Sequence, residues 1–510
     1  MTKSVNDAPA DASVMGDNNL ADGGLILISR IVAQGSGFLI FLVAVQFLSQ
    51  AEFGLFAVAS STSILMLYIA RTGWGQYIMA GRVETSHTGF ILGLALSWGV
   101  IISAAGVCIG AAISHFMNNP TFGHVISLIS LTIVPACYAS VNESAMIRNG
   151  QVRQAAMIWI IAELAALAIA VITLFLGWKE YGLVAGRVTS AVFTVFGNLL
   201  FNKMKPTLRG VQGLFSDATK FYRDLLGTLL LGFAGANSGL YVVGFMFGEA
   251  AAGVYRAAAR FSAALKEFIW EPSGILAWKN IPPSEAEIAD GVDKKRVIGE
   301  RYLDFMGIFA LIVCPIMLGA AAVSNELTLL LLGRDWQDVG PLFFLLIISA
   351  LFWLPFNIAT VVLAALEEST TIFKLQSMHL VVFLISLFGL GWYSPLVAAA
   401  VHIPPVMLLA IIGFRASARL IERPFSELVN SVAAPFLCAL IMLMVVYAFR
   451  SFLVQQEIHT LLVLSASIAA GAGIYIGLAL IFCRALFFDA YTAIASNISN
   501  PFVTNQPETK

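Results

Sequence analysis

The chain has 510 residues, 59% of them hydrophobic and only 12% charged, with a mean hydropathy of +0.86. Soluble domains carry about a quarter charged residues, and an apolar excess of this size cannot be hidden inside a water-facing globule. The formal net charge is -1 and no basic stretch is dense enough to follow a phosphate backbone, which excludes nucleic acid as a partner.

Residues 1–23 form a polar tail ahead of an apolar run too long for the core of a cleaved signal peptide. Apolar runs of membrane-spanning length then fall at 25–47, 53–70, 89–115, 124–146, 155–176 and 182–201. A basic connector follows, with Lys203, Lys205, Arg209, Lys220 and Arg223. The rhythm resumes at 225–247, 253–275, 303–323, 339–363, 376–393 and 396–414, and two last runs lie at 428–449 and 461–482. The pattern predicts an all-α integral membrane protein of about fourteen transmembrane helices. Its expected parts are a tail at 1–23, a six-helix lobe at 24–201, a connector at 202–223, a second six-helix lobe at 224–414, two additional helices at 415–485 and a tail at 486–510. Pro135, Pro315, Pro355, Pro404, Pro405 and Pro435 fall inside spans, where they permit bends.

Charge placement tests the span count separately, because cytoplasmic connections are enriched in Lys and Arg. With both termini cytoplasmic, the outer connections hold only Lys179, Arg334 and Arg450, while twenty-one of the 29 basic residues fall on the inner side. A missed span would invert every later connection. Cys108, Cys137, Cys314, Cys438 and Cys483 stand singly in or beside apolar runs and read as small packing residues. Trp74, Trp178, Trp270, Trp278, Trp336 and Trp392 lie near expected membrane edges, the place of an interfacial belt. The few histidines are scattered without a ligand spacing, so no metal is assigned.

A short internal echo pairs Leu48-Ser-Gln-Ala-Glu-Phe-Gly54-Leu-Phe56 with Phe247-Gly-Glu-Ala-Ala-Ala-Gly253-Val-Tyr255, each opening an even-numbered span. Many transporters build a central site between such repeats. Ser29-Arg30 followed by Glu52-Phe-Gly-Leu-Phe56 resembles the polysaccharide flippases of the Wzx type, within the multidrug/oligosaccharidyl-lipid/polysaccharide exporter superfamily. Ile147-Arg-Asn-Gly-Gln-Val-Arg153, the run from Ala252 to Arg260, and Leu331-Leu-Gly-Arg-Asp-Trp336 carry the same resemblance. It implies two six-helix lobes around a cavity that opens alternately to cytoplasm and periplasm, and a cargo of undecaprenyl-pyrophosphate-linked oligosaccharide. It further implies residence in a bacterial inner membrane, contact with membrane lipids, and a polysaccharide polymerase and chain-length or export proteins as partners.

A charge at bilayer depth costs several kcal/mol, roughly 3 on insertion scales, so charged residues inside spans are site candidates. Arg30 and Gln34 lie four apart on one helical face, with Gly35 and Gly37 allowing close approach. Arg256 and Arg260 share a face in the same way. Facing a lumen, these arginines would supply fork-shaped donors suited to a pyrophosphate; Arg256, near its span end, can equally snorkel to headgroups. The resemblance places Asn142, Asn237, Tyr241 and Asn357 around the cavity, where sugar hydroxyls need neutral partners; interhelical hydrogen bonds use the same residues. Glu143, Glu163 and Glu267 are candidates for coupling to a proton or sodium gradient, and an ion pair with an arginine explains Glu143 or Glu163 equally well. No cofactor is expected. Two other readings stay open: an ion-coupled multidrug or small-molecule antiporter of the same superfamily, and a membrane-embedded polysaccharide polymerase or glycosyltransferase. The absence of a DxD motif and of any long outer connection counts against an enzyme, and the absence of GxxxxGKS against direct nucleotide-driven pumping.

Overall fold

In hydrocarbon every backbone N–H and C=O needs an internal partner, and a helix supplies one within its own segment. The computed structural model describes residues 12–488, apart from 117–118, 203, 210–212, 285–286 and 288–291, and these are helical almost throughout. Thirteen stretches among them are long and apolar enough to cross a membrane. One, α9 (Leu214–Asn280), runs for 67 residues with a kink at Gly248, whose φ of 86° lies in the region that favours glycine. Its two arms, residues 214–247 and 249–280, are each long enough for one crossing, which gives the fourteen expected spans. Most of the expected tails lies at 1–11 and 489–510, outside the described residues. The tail ahead of the first span is helical from Ala12 onward, because a span that is already nucleated extends cheaply into flanking residues.

The chain divides into two compact units, the first comprising Met1–Asn237 with Gly248–Gly253 and the second Ser238–Phe247 with Val254–Lys510. This differs from the lobe boundaries drawn at 201 and 224. The reason is visible in the connector, where Tyr222 stacks on Trp74 at 5.1 Å and donates its hydroxyl to the Ile69 carbonyl at 2.7 Å. Tyr77 donates to Asp217 at 2.6 Å, so the start of α9 is held to the first unit.

The first unit contains α1 (Ala12–Phe47), α2 (Gln50–Arg71), the short α3 (Trp74–Met79), α4 (Thr88–Phe116), α5 (Pro120–Ser130), α6 (Ile133–Arg148), α7 (Val152–Phe175) and α8 (Glu180–Phe201). The fourth span is α5 and α6 together, interrupted at Leu131–Thr132. Pro135 has no N–H to give the Leu131 carbonyl, which accounts for the break. α2 opens with a capping box, Ser49 N–H donating to Glu52 at 2.9 Å and Glu52 N–H to Ser49 Oγ at 3.3 Å. The two echoing segments meet here: a Cβ on Gly54 would strike the Glu249 carbonyl, and one on Gly253 would strike the Gln50 carbonyl. Each glycine therefore faces the carbonyl four residues before the other, and the contact is reciprocal. The Glu52-Phe-Gly segment thus caps a helix and permits close backbone approach.

The second unit contains most of the second arm of α9, then α10 (Lys294–Ala322), α11 (Ser324–Leu332), α12 (Val339–Ala365), α13 (Ser369–Leu390), α14 (Pro395–Ala400), α15 (Ile403–Leu420), α16 (Phe425–Gln455) and α17 (Thr460–Phe482). The two additional spans, α16 and α17, pack on α10 and on each other as part of this unit's core. Tyr475 of α17 donates to the Leu311 carbonyl of α10 at 2.7 Å. The twelfth span is α14 and α15, interrupted at Val401–His402, where Pro404 and Pro405 leave the carbonyls of Ala400 and Val401 without helical donors. Pro315, Pro355 and Pro435 sit inside unbroken helices.

Four cysteines are buried as expected and Cys108 is exposed. Trp178, Trp278 and Trp392 are exposed as a belt requires, but Trp74 and Trp336 are buried in protein. Trp74 donates its indole N–H to the Ala70 carbonyl at 2.9 Å, so it serves packing instead.

Candidate functional site

In the first unit, Arg30 and Gln34 both lie on an exposed face of α1, as their four-residue spacing predicts. Gly35 has nothing within 4 Å of a built Cβ, so it serves no close approach. Glu143 on α6 lies beside Trp159 of α7, and the fields of Arg71 and Arg30 reach its carboxylate. Residues of α1, α2 and α7 thus act on one carboxyl group of α6. Cations within electrostatic reach offset part of the desolvation cost of a carboxylate. Arg71 closes α2 as its last residue, although the sequence assigns it to a loop. Its role was missed because a terminal cation looks the same whether it faces solvent or turns back along its helix.

Glu163 accepts a hydrogen bond from Ser190 at 3.0 Å, a link between α7 and α8. Asn142 is fully buried and donates to the Tyr138 carbonyl one turn back at 2.8 Å. Half-buried Asn237 likewise donates to Phe233, at 3.2 Å. Two pockets of this unit, of about 270 and 720 Å³, are lined around Arg148 and Asn202 and around Trp178 and Val184, and include none of the expected site residues.

In the second unit, Arg256 and Arg260 are half-exposed on α9, while Ala257, Ala258 and Phe261 between and beside them are buried. Tyr241 and Asn357 are half-buried, and Glu267 acts electrostatically on its neighbour Lys266. A further group escaped the sequence. Tyr255 and His402 share a hydrogen bond of 3.0 Å, Phe383 packs on His402 at 4.1 Å between ring centres, and His379 stacks on Phe383 at 6.3 Å. Lys266 and His379 are both close enough to act on the charge of His402. Only the break before Pro404 and the shared polarity of these spans hinted at it; partners 147 residues apart leave no spacing to read.

A family model described as polysaccharide biosynthesis protein matches residues 43–341. The chain is 22% identical to the succinoglycan biosynthesis transport protein ExoT of Rhizobium meliloti (strain 1021), over 91% of this chain and 93% of that one. It is 24% identical to the lipopolysaccharide biosynthesis protein WzxC of Escherichia coli (strain K12), over 64% and 65% of the two chains. Among solved structures, the lipid II flippase MurJ in an inward closed conformation has a similar fold, with a TM-score of 0.69 at 15% identity, covering 92% of this chain and all of that one. An inward-facing multidrug resistance transporter of the MATE family is similar at a TM-score of 0.55 and 13% identity, over 78% and 98% of the chains.

Proposed function

This chain belongs to the polysaccharide biosynthesis protein family, and we propose that within it the chain is a flippase for lipid-linked oligosaccharides. It moves undecaprenyl-pyrophosphate-linked repeat units from the cytoplasmic to the periplasmic leaflet of a bacterial inner membrane, for O-antigen, capsule or exopolysaccharide assembly, and catalyses no reaction. Near full-length similarity to a protein named for succinoglycan transport supports this reading. So does a fold like that of a lipid II flippase.

The observation that carries the choice of cargo is the placing of guanidinium groups in apolar spans or at their ends: Arg30 and Arg71, both acting on Glu143, in the first unit, and Arg256 with Arg260 in the second. A pyrophosphate brings compensating negative charge and accepts paired N–H donors, while the prenyl chain stays in lipid. Hydroxyl and amide side chains such as Tyr241 and Asn357 are suited to sugar hydroxyls. Transport follows when these basic groups are exposed alternately to the two faces. A polymerase and chain-length or export proteins would take the delivered unit.

Deletion of the gene tests the reading. Lipid-linked repeat units are expected to accumulate on the cytoplasmic leaflet, with restoration by the wild-type gene and not by Arg30→Ala or Arg260→Ala variants present at equal levels in the membrane. Full restoration by both variants would remove the site assignment; no accumulation on deletion would remove the function.

A further inference from the structure

The charged groups assigned to the cargo are fixed in charge, yet net movement of a lipid against its gradient needs a group that changes state. The second unit holds a set of titratable side chains that cargo binding does not use. Tyr255 on the second arm of α9 and His402 at the proline break share a 3.0 Å hydrogen bond through the imidazole Nε2. Gly239 on the first arm makes room for the pair: a Cβ there would run into the Tyr255 hydroxyl and come within 3.3 Å of His402 Nε2. Phe383 covers one face of the imidazole, His379 lies behind Phe383 and against Trp353, and Lys266 adds an ammonium. Ionisable groups at bilayer depth mark ion pathways more often than packing.

We infer that His402, bonded to Tyr255 and within electrostatic reach of Lys266 and His379, binds the proton whose passage drives transport; this rests on the flippase reading above. A tyrosine hydroxyl both donates and accepts. It donates to neutral His402 Nε2; once a proton arrives there, the hydroxyl hydrogen turns away and Nε2–H donates back to the oxygen. The pair stays bonded in both states with no heavy-atom movement. The added positive charge is repelled by Lys266 and by His379 when that is protonated, so uptake is tied to whatever movement separates them. The proton is taken from water on one face and released to the other, and no covalent bond other than N–H changes.

The neighbourhood suits a proton and not a metal cation, since a hard cation seeks several oxygen ligands and here meets two imidazoles, an ammonium and one hydroxyl. The other charged groups are placed as follows. On α9 Glu267 acts on Lys266, and Arg256 and Arg260 lie between Tyr255 and Lys266. α12 and α14 carry no ionisable side chain, α13 adds Lys374, and α15 carries Arg415 and Arg419 near its far end. On α16, Glu427 and Arg450 stand near the two ends, Arg450 bound to Glu326.

The full-length chain in proteoliposomes, with purified undecaprenyl-pyrophosphate repeat unit and an enclosed pH-sensitive dye, tests the assignment. Wild type is expected to move protons together with lipid, to lose net flipping on addition of a protonophore, and to ignore a sodium gradient. His402→Gln keeps a hydrogen-bonding amide that cannot titrate; it should lower gradient-driven flipping by about tenfold or more, equivalent to roughly 1.4 kcal/mol, while leaving exchange at equal pH in place. Tyr255→Phe, which fills the same space, should lose less. Gradient-driven flipping in His402→Gln at the wild-type rate, or wild-type accumulation of lipid in one leaflet against its gradient driven by sodium or by neither gradient, overturns the inference and leaves the flippase intact. Wild type that moves no lipid under any condition overturns both.

Discussion

The two units carry opposite kinds of polarity within their spans. In the first, Arg30 and Arg71, guanidinium groups whose charge persists, both act on Glu143. In the second, Tyr255, His402, His379 and Lys266 gather with aromatic rings between them, groups whose charge can change. Permanent charge suits holding an anionic head; variable charge suits spending an ion gradient on movement. A helix interrupted by proline occurs in each unit, but only the second interruption places a titratable residue, His402, at the gap.

That contrast can be broken most sharply in the first unit. Arg71→Ala should lower the unfolding temperature more than the other changes below, because it removes a cation that acts on a desolvated carboxyl group. Adding Glu143→Gln should restore most of the loss, as coupled sites do. Thermal unfolding in detergent measures both, and additive effects would dissolve the set. The proline breaks come next. Pro404→Ala with Pro405→Ala should let α14 and α15 join and shift His402, cutting proton-driven flipping by about tenfold; Pro135→Ala should change stability by about 1 kcal/mol or less and leave coupling alone. Equal effects on coupling would erase the difference between the two interruptions.

A smaller effect checks the boundary between the units. Tyr222→Phe removes the hydroxyl bonded to Ile69 and Trp98 and should cost about 1 kcal/mol, read as earlier proteolysis of the connector with transport unchanged. The smallest concerns the connection before α10. Glu287 is held down to about 2 from its ordinary 4.5, first by the Ser284 backbone N–H and then by Arg301. Its stabilisation is therefore present above pH 4.5 and is lost as the pH falls from there through about 2. Protection of this connection from an acid-active protease should fall across that window in wild type and stay flat in Glu287→Gln.

Much of the fold was legible, because span length and the placement of basic residues are set by the bilayer and the sequence records both. Of the prolines read as permitting bends, Pro135, Pro404 and Pro405 lie just after the interruptions at 131–132 and 401–402, while Pro315, Pro355 and Pro435 sit in unbroken helices. Legibility failed at helix rotation. Core and lipid are both apolar, so the sequence of α6 does not say that Asn142 points inward while Arg30 and Gln34 on α1 stand exposed. Spacing along one helix found Arg256 with Arg260, and nothing local could bring Tyr255 to His402 or Arg71 to Glu143, since those meetings depend on how separate helices pack.

The most direct test is the leaflet position of purified undecaprenyl-pyrophosphate oligosaccharide in vesicles containing only this protein. The account predicts that a lipid added to one leaflet becomes accessible at the other with wild type, and stays where it was placed with Arg30→Ala. Movement undiminished in that variant, or wild type that carries small cationic drugs and leaves the pyrophosphate lipid in place, would contradict it.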